Sequence, residues 1–114
     1  MKEKILVTGA GGFIGHHMVR LLKRKGYWVR GVDIKYPSYS PINEADEFIL
    51  LDMKEFHNSL IATVGIDKVY NFAANMGGMA FVTAVKAEVM RDSALVNINL
   101  AEACRINKVK RVFF

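Results

Sequence analysis

An α/β protein with a doubly wound parallel sheet of about five strands is the fold class that this sequence predicts, and three observations carry it. Short β-favouring apolar runs alternate with helical periodicity along the chain, the pattern of successive βαβ units with right-handed crossovers. The first such run leads directly into TGAGGFIG at 8–15, which puts four glycines into seven positions before a helix face begins. The chain has 114 residues and 52% hydrophobic content, enough to fill one core, so a single globular domain is expected.

Ile5, Leu6 and Val7 form the first strand. From Phe13 the apolar residues fall at Phe13, Ile14, Met18, Leu21 and Leu22, the spacing of one helix face, and Gly26 stops that helix. WVRGVD at 28–33 is a second strand, apolar enough for a sheet covered on both sides. Residues 35–47 hold both prolines, three Ser or Asn residues and three acids, and read as a loop. A third strand is expected at 48–51. Phe56, Leu60, Ile61 and Val64 then mark a short helix face that ends at Gly65. KVYNFAA at 68–74 is a fourth strand, and MGGM at 76–79 a second glycine loop. From about 83 to 106 there is no Gly or Pro and many helix formers, hence a long helix. VKRVFF at 109–114 is a fifth strand whose apolar edge is open to pairing with another chain, so a homo-oligomer is expected.

Composition excludes several function classes. The net charge of +5 is spread along the chain, and only Lys23, Arg24 and Lys25 are contiguous. Those three suit the negative end of a helix dipole, and no clustered basic face for nucleic acid is expected. The single Cys104 excludes an internal disulfide framework and reads as a small buried hydrophobe. No signal peptide or membrane-spanning run is evident, so cytoplasm is the expected compartment and no membrane partner is foreseen. His16 and His17 point about 100° apart on a helix and lack a third ligand nearby, so they read as solvated residues rather than a metal site. Met76 and Met79 flank the second glycine loop and could line a sugar pocket. The stretch 36–39, with Tyr36 and Tyr39, could cover an adenine or merely decorate a loop.

A glycine turn between a strand and a helix gathers backbone N–H groups and the positive end of a helix dipole at one point, which suits phosphate. The common G-x-G-x-x-G spacing, counted from Gly9, would require glycine where Ile14 stands; the spacing present is Gly9, Gly12, Gly15. One glycine makes the tight turn, one lets a pyrophosphate approach the backbone, and one lets helix and strand meet closely. Asp33 ends the second strand, where an acid accepts hydrogen bonds from a ribose diol and repels a 2′-phosphate, favouring NAD over NADP.

These segments resemble the extended short-chain dehydrogenase/reductases, the NAD-dependent epimerase/dehydratase family, whose fold is of the Rossmann type. TGAGGFIG, Asp52-Met53 and NFAA at 71–74 carry the likeness. Within the family the chain is most similar to enzymes of the GDP-mannose 3,5-epimerase type, on DEFILLD at 46–52, NFAANMGGMAF at 71–81 and NLAEACRINKVKRVFF at 99–114. The resemblance implies NAD as cofactor. It assigns Gly9, Gly12, Phe13, Ile14 and Gly15 to the pyrophosphate, Asp33 to the adenosine ribose, and Asp52 and Met53 to the adenine. It further assigns Ala73 and Ala74 to the inner cofactor wall, and Gly77 to a nucleotide-sugar substrate, a GDP-hexose in the complete enzyme. Ser93 stands where many relatives carry an Asn on the long helix. The family's Tyr-x-x-x-Lys pair is absent: four residues after Tyr27, Tyr36, Tyr39 and Tyr70 come Gly31, Ser40, Asn43 and Ala74. No catalytic or metal-ligating residue is therefore expected within 1–114. The resemblance makes these residues part of the NAD-binding domain, with the rest of that domain and the substrate domain expected to follow. Another sugar-nucleotide epimerase or dehydratase, or a stand-alone dinucleotide-binding regulator, is compatible with the same residues.

Overall fold

Strand β1 (Lys4–Thr8) occupies the middle of a five-stranded sheet in the computed structural model, which describes residues 2–38, 44–73 and 87–114, the side chains of 87–90 excepted. It is followed by α1 (Phe13–Arg24), β2 (Trp28–Asp33), β3 (Glu47–Leu50), α2 (Phe56–Thr63), β4 (Lys68–Asn71), α3 (Ala87–Ile106) and β5 (Arg111–Phe113). The strand order is β3-β2-β1-β4-β5 and every pairing is parallel. The chain therefore leaves β1 towards β2 on one side and returns to β4 on the other. That reversal opens a crevice at the carboxyl ends of the central strands, where ligands bind in sheets of this kind.

Alternation along β1 divides the core into two layers. Ile5 and Val7 pack with Val29 of β2 and with Val19 and Leu22 of α1. Leu6, between them, joins Val32 and Val69 and faces Ala62 of α2 with Val96, Leu100 and Cys104 of α3. The sheet is covered on both sides, as its apolar strands require. Among the described residues no helix is long and apolar enough to cross a membrane.

The elements match the expected order, but two helix faces differ from expectation. In α1 the buried residues are Gly15, His16, Val19 and Leu22, while Phe13, Ile14 and Leu21 are exposed. His16 is thus not solvated; its ring lies against the start of the helix, with Nδ1 3.2 Å from the carbonyl of Gly12. In α2, Ser59, Ala62 and Thr63 are buried, whereas Phe56, Ile61 and Val64 are exposed. The reason is close packing against the end of α3. The Asn107 side chain donates to the Leu60 carbonyl at 3.0 Å and to Thr63 Oγ1 at 2.8 Å, which only a small, polar helix face permits. The strand ends shift by smaller amounts. β3 starts one residue early, at Glu47, whose carboxylate accepts from Arg30 Nε at 2.9 Å, and β4 stops at Asn71, although the Phe72 amide still donates to Thr8.

Asp46 links α1 to β2, accepting from Lys23 Nζ at 2.7 Å and from the Val29 amide at 2.8 Å. Burial pushes its carboxyl up, but these two hydrogen bonds and the Lys23 charge outweigh that and hold it below the ordinary value of 3.8. A carboxyl lowered by folding stabilises the fold above its unfolded value, and that contribution disappears as pH falls through the lower folded value. Asp46→Asn should therefore lower the melting temperature at pH 7 and flatten its decline below about pH 4, as followed by circular dichroism. An unchanged acid slope would remove Asp46 from this role.

Candidate functional site

Residues 9–12 form a turn at the carboxyl end of β1, built almost entirely from backbone hydrogen bonds. The Gly12 amide donates to the Gly9 carbonyl at 3.1 Å, the Ala10 amide to the Val32 carbonyl at 3.1 Å, and the Gly11 amide to Asp33 Oδ2 at 2.8 Å. Gly9 has φ +70°, a conformation that side chains rarely adopt, and a Cβ there would stand 2.6 Å from the Phe72 carbonyl group. A Cβ on Gly11 would overlap the Lys35 carbonyl, and one on Gly15 the carbonyl of Gly9. Three of the four glycines are thus required by the chain's own packing.

Gly12 is different. Its φ of −84° suits any residue, and among the described residues a Cβ there would meet only the Gly9 carbonyl, at an ordinary 3.4 Å. It is the N-cap of α1 and has no side chain to bond the first helical amides, those of Phe13, Ile14 and Gly15. An N-cap side chain reaches over those amides, so glycine at position 12 leaves that space clear, and no packing among the described residues requires it to be glycine.

Beside the turn lies a cleft of about 310 Å³. Asp33 enters it from the end of β2 and Ile34 from just beyond, Leu51 to Lys54 from the segment after β3, Ala73 from beyond β4, and Asp92, Ser93 and Val96 from α3. The segment after β3 is fixed from outside: Asn99 Nδ2 donates to the carbonyls of Met53, at 3.2 Å, and Lys54, at 2.9 Å. Met53 is buried, while the Asp52 carboxylate is exposed and caps the Lys54 amide at 3.0 Å. Lys54 Nζ stands 3.9 Å from Asp52 Oδ2 and 3.9 Å from Asp92 Oδ2, placing one cation between two acids at the cleft. Between β1 and β4, Asn71 Oδ1 accepts from Thr8 Oγ1 at 2.5 Å and from the Ala73 amide at 3.2 Å, and Asn71 Nδ2 donates to Asn97 Oδ1 at 2.7 Å.

The structure therefore brings Asp33, Asp52, Met53 and Ala73 together around one cleft and sets Gly9, Gly12, Phe13, Ile14 and Gly15 beside it. Ala74 and Gly77, like Met76 and Met79, lie outside the described residues. Gly11, Ile34, Lys54, Asp92 and Val96 were not foreseen as site residues. The last two come from a helix 40 residues after Asp52, and nothing local in the sequence marks their approach. Cys104 sits away from the cleft in the core, where burial pushes its thiol up to about 11 and leaves it unreactive. Among the described residues no three His, Cys, Asp or Glu side chains gather as metal ligands.

Residues 5–114 match the family model for the NAD dependent epimerase/dehydratase family. The chain belongs to that family. It is 41% identical over 112 residues to GDP-mannose 3,5-epimerase of Arabidopsis thaliana, an alignment that takes in 97% of this chain and 30% of the plant enzyme. A crystal structure of UDP-galactose 4-epimerase superposes with a TM-score of 0.76 at 29% identity, over 96% of this chain and 36% of that one. UDP-glucose 4-epimerase from Thermotoga maritima gives 0.77 at 25% identity, over 96% and 36%. The chain thus spans about a third of the length of these relatives. The family match agrees with a doubly wound sheet whose first βα turn faces a cleft at the strand ends.

The two kinds of glycine can be separated by substitution. Gly12→Ala should stay within about 1 kcal/mol of the parent in urea unfolding, the usual cost at a helix cap. Gly15→Ala should lose at least about 2 kcal/mol because backbone must move to admit the methyl group. The reverse order would contradict the packing described.

Proposed function

We propose that this chain is the NAD-binding N-terminal part of a nucleotide-sugar epimerase of the GDP-mannose 3,5-epimerase type. The single observation that carries the reading is Gly12: the fold does not need a glycine there, and a side chain would project over the first amides of α1 beside the cleft that Asp33 lines. A pyrophosphate fits that space, taking the amides of Phe13, Ile14 and Gly15 and the positive end of the helix dipole. Asp33 then holds the adenosine ribose, and Asp52 and Met53 border the adenine. Ala73 borders the inner wall, and the family resemblance assigns Ala74 to the same wall and Gly77 to the nucleotide sugar, a GDP-hexose. NAD, when bound, supplies reversible hydride acceptance from a sugar carbon.

The chain's own residues bind and orient; they do not catalyse. None of Tyr27, Tyr36, Tyr39 and Tyr70 is followed four residues later by a lysine, so the proton-transferring pair of the family is not supplied from within 1–114. The 41% identity to the plant GDP-mannose 3,5-epimerase supports the substrate class, as does the sequence MGGM at 76–79.

Calorimetric titration tests the binding half of this reading. NAD should bind, and NADP at least about tenfold more weakly, because the carboxylate of Asp33 repels a 2′-phosphate. Gly12→Val, which fills the proposed pyrophosphate space, should abolish binding with little change in the unfolding midpoint. GDP-mannose incubated with the 114-residue chain and NAD should remain unchanged. Failure of NAD to bind at millimolar concentration would overturn the cofactor assignment, and epimerised product would overturn the division of labour.

A further inference from the structure

Asp33 is engaged before any ligand arrives. Its Oδ2 accepts from the Gly11 amide at 2.8 Å and its Oδ1 from the Ile34 amide at 2.6 Å. We propose that Asp33 is a positioning residue for the phosphate turn, so that it governs phosphate binding through Gly11 as well as facing the ribose. The inference deepens the NAD-binding reading above and rests on it for its ligand.

The geometry gives the carboxylate this role and leaves no substitute for it. Two consecutive turn amides are tied to the last two residues of β2, Ala10 to the Val32 carbonyl at 3.1 Å and Gly11 to the Asp33 side chain. Gly11 is buried between that side chain and the Lys35 carbonyl, so closely that a Cβ would overlap the carbonyl and stand 2.9 Å from Asp33 Oδ2. Directly after Gly11 comes Gly12, the N-cap above which the proposed pyrophosphate would sit. Holding the Gly11 amide therefore fixes where Gly12 and the first amides of α1 point.

An ionised carboxylate offers about four acceptor directions. Two are used within the protein, and the remaining ones serve the cleft that Asp33 lines. An asparagine cannot reproduce this arrangement. It has one acceptor oxygen, and its NH2 group would meet either the Gly11 or the Ile34 amide donor to donor. Neutralising Asp33 to admit a 2′-phosphate would thus remove a repulsion and loosen the phosphate turn in the same step.

The test pairs ADP with 2′,3′-dideoxy-ADP, which lacks the diol, on the parent chain and on Asp33→Asn. If Asp33 acted only on the diol, the variant would bind dideoxy-ADP as the parent does. The proposal expects at least a fivefold loss for dideoxy-ADP and a larger loss for ADP. In ligand-free protein, exchange of the Gly11 and Ile34 amides should quicken at least tenfold in the variant while that of Leu100 stays unchanged, which separates a local effect from general loosening. The parent chain alone supplies a measurement that survives poor folding of the variant: a scalar coupling across the hydrogen bond from Gly11 nitrogen to the Asp33 carboxyl carbon. Undiminished dideoxy-ADP binding by the variant, unchanged Gly11 exchange, or absence of that coupling would overturn the proposal. Failure of the parent to bind either nucleotide would instead overturn the cofactor reading, leaving exchange and coupling to decide the role of Asp33 in the turn.

Discussion

Helix α1 meets the turn after β1 where Gly15 rests on the carbonyl of Gly9, and the candidate site depends on that contact. A single Cβ at Gly15 would overlap this carbonyl and force the helix outwards. With hydrogen there instead, the first turn of α1 comes down directly onto the end of the central strand. The same approach lets Val19 and Leu22, one and two turns along, reach Ile5, Val7 and Val29. Helix dipole, turn amides and core packing therefore share one geometric requirement, and the order of the sheet places the result where the chain reverses direction.

Polar side chains complete what the backbone begins. Thr8, Asn71 and Asn99 are buried, and all three work at the carboxyl ends of the strands or beside the segment that leaves β3. Asn71 spends its carbonyl oxygen on Thr8 and Ala73 and its amide on Asn97, so β1, β4 and α3 are joined by one side chain. Satisfied buried networks of this kind fix a single arrangement, because a rotated amide would leave a donor or acceptor unpaired in a low-dielectric setting. The cleft owes its shape to asparagines as much as to apolar packing.

The order of the strands and helices was legible in the sequence because each element announces itself locally. β2 spans 28–33 as WVRGVD implies, and α1 begins at Phe13, directly after the glycines. Asp33 was legible from its place at the end of β2, and Asp52, Met53 and Ala73 through family resemblance; the four share one cleft. What could not be read was how the elements press on one another. Phe13, Ile14, Phe56 and Ile61 look like core residues by hydropathy, yet they are exposed, while His16, Ser59 and Thr63 are buried. His16 and Thr63 have a neighbour that supplies a polar partner, Gly12 for His16 and Asn107 for Thr63. Gly11 shows the same limit: its importance lies in contact with Lys35 and Asp33, which no spacing rule expresses.

Trp28 is the chain's single tryptophan, and it stands at the first position of β2, partly buried against the core. Lys4 Nζ lies 5.0 Å from its ring on the neighbouring strand, and Arg30 Cζ 5.4 Å away, so two cations surround the indole. Asp33 is five residues further along the same strand, roughly 17 Å away at the usual rise. Indole emission thus originates at the opposite end of the sheet from the cleft. The indole's surroundings are set by the pairing of β1 with β2 and by these two cations. The molecule thus carries its one indole fluorophore at the end of β2 remote from the cleft.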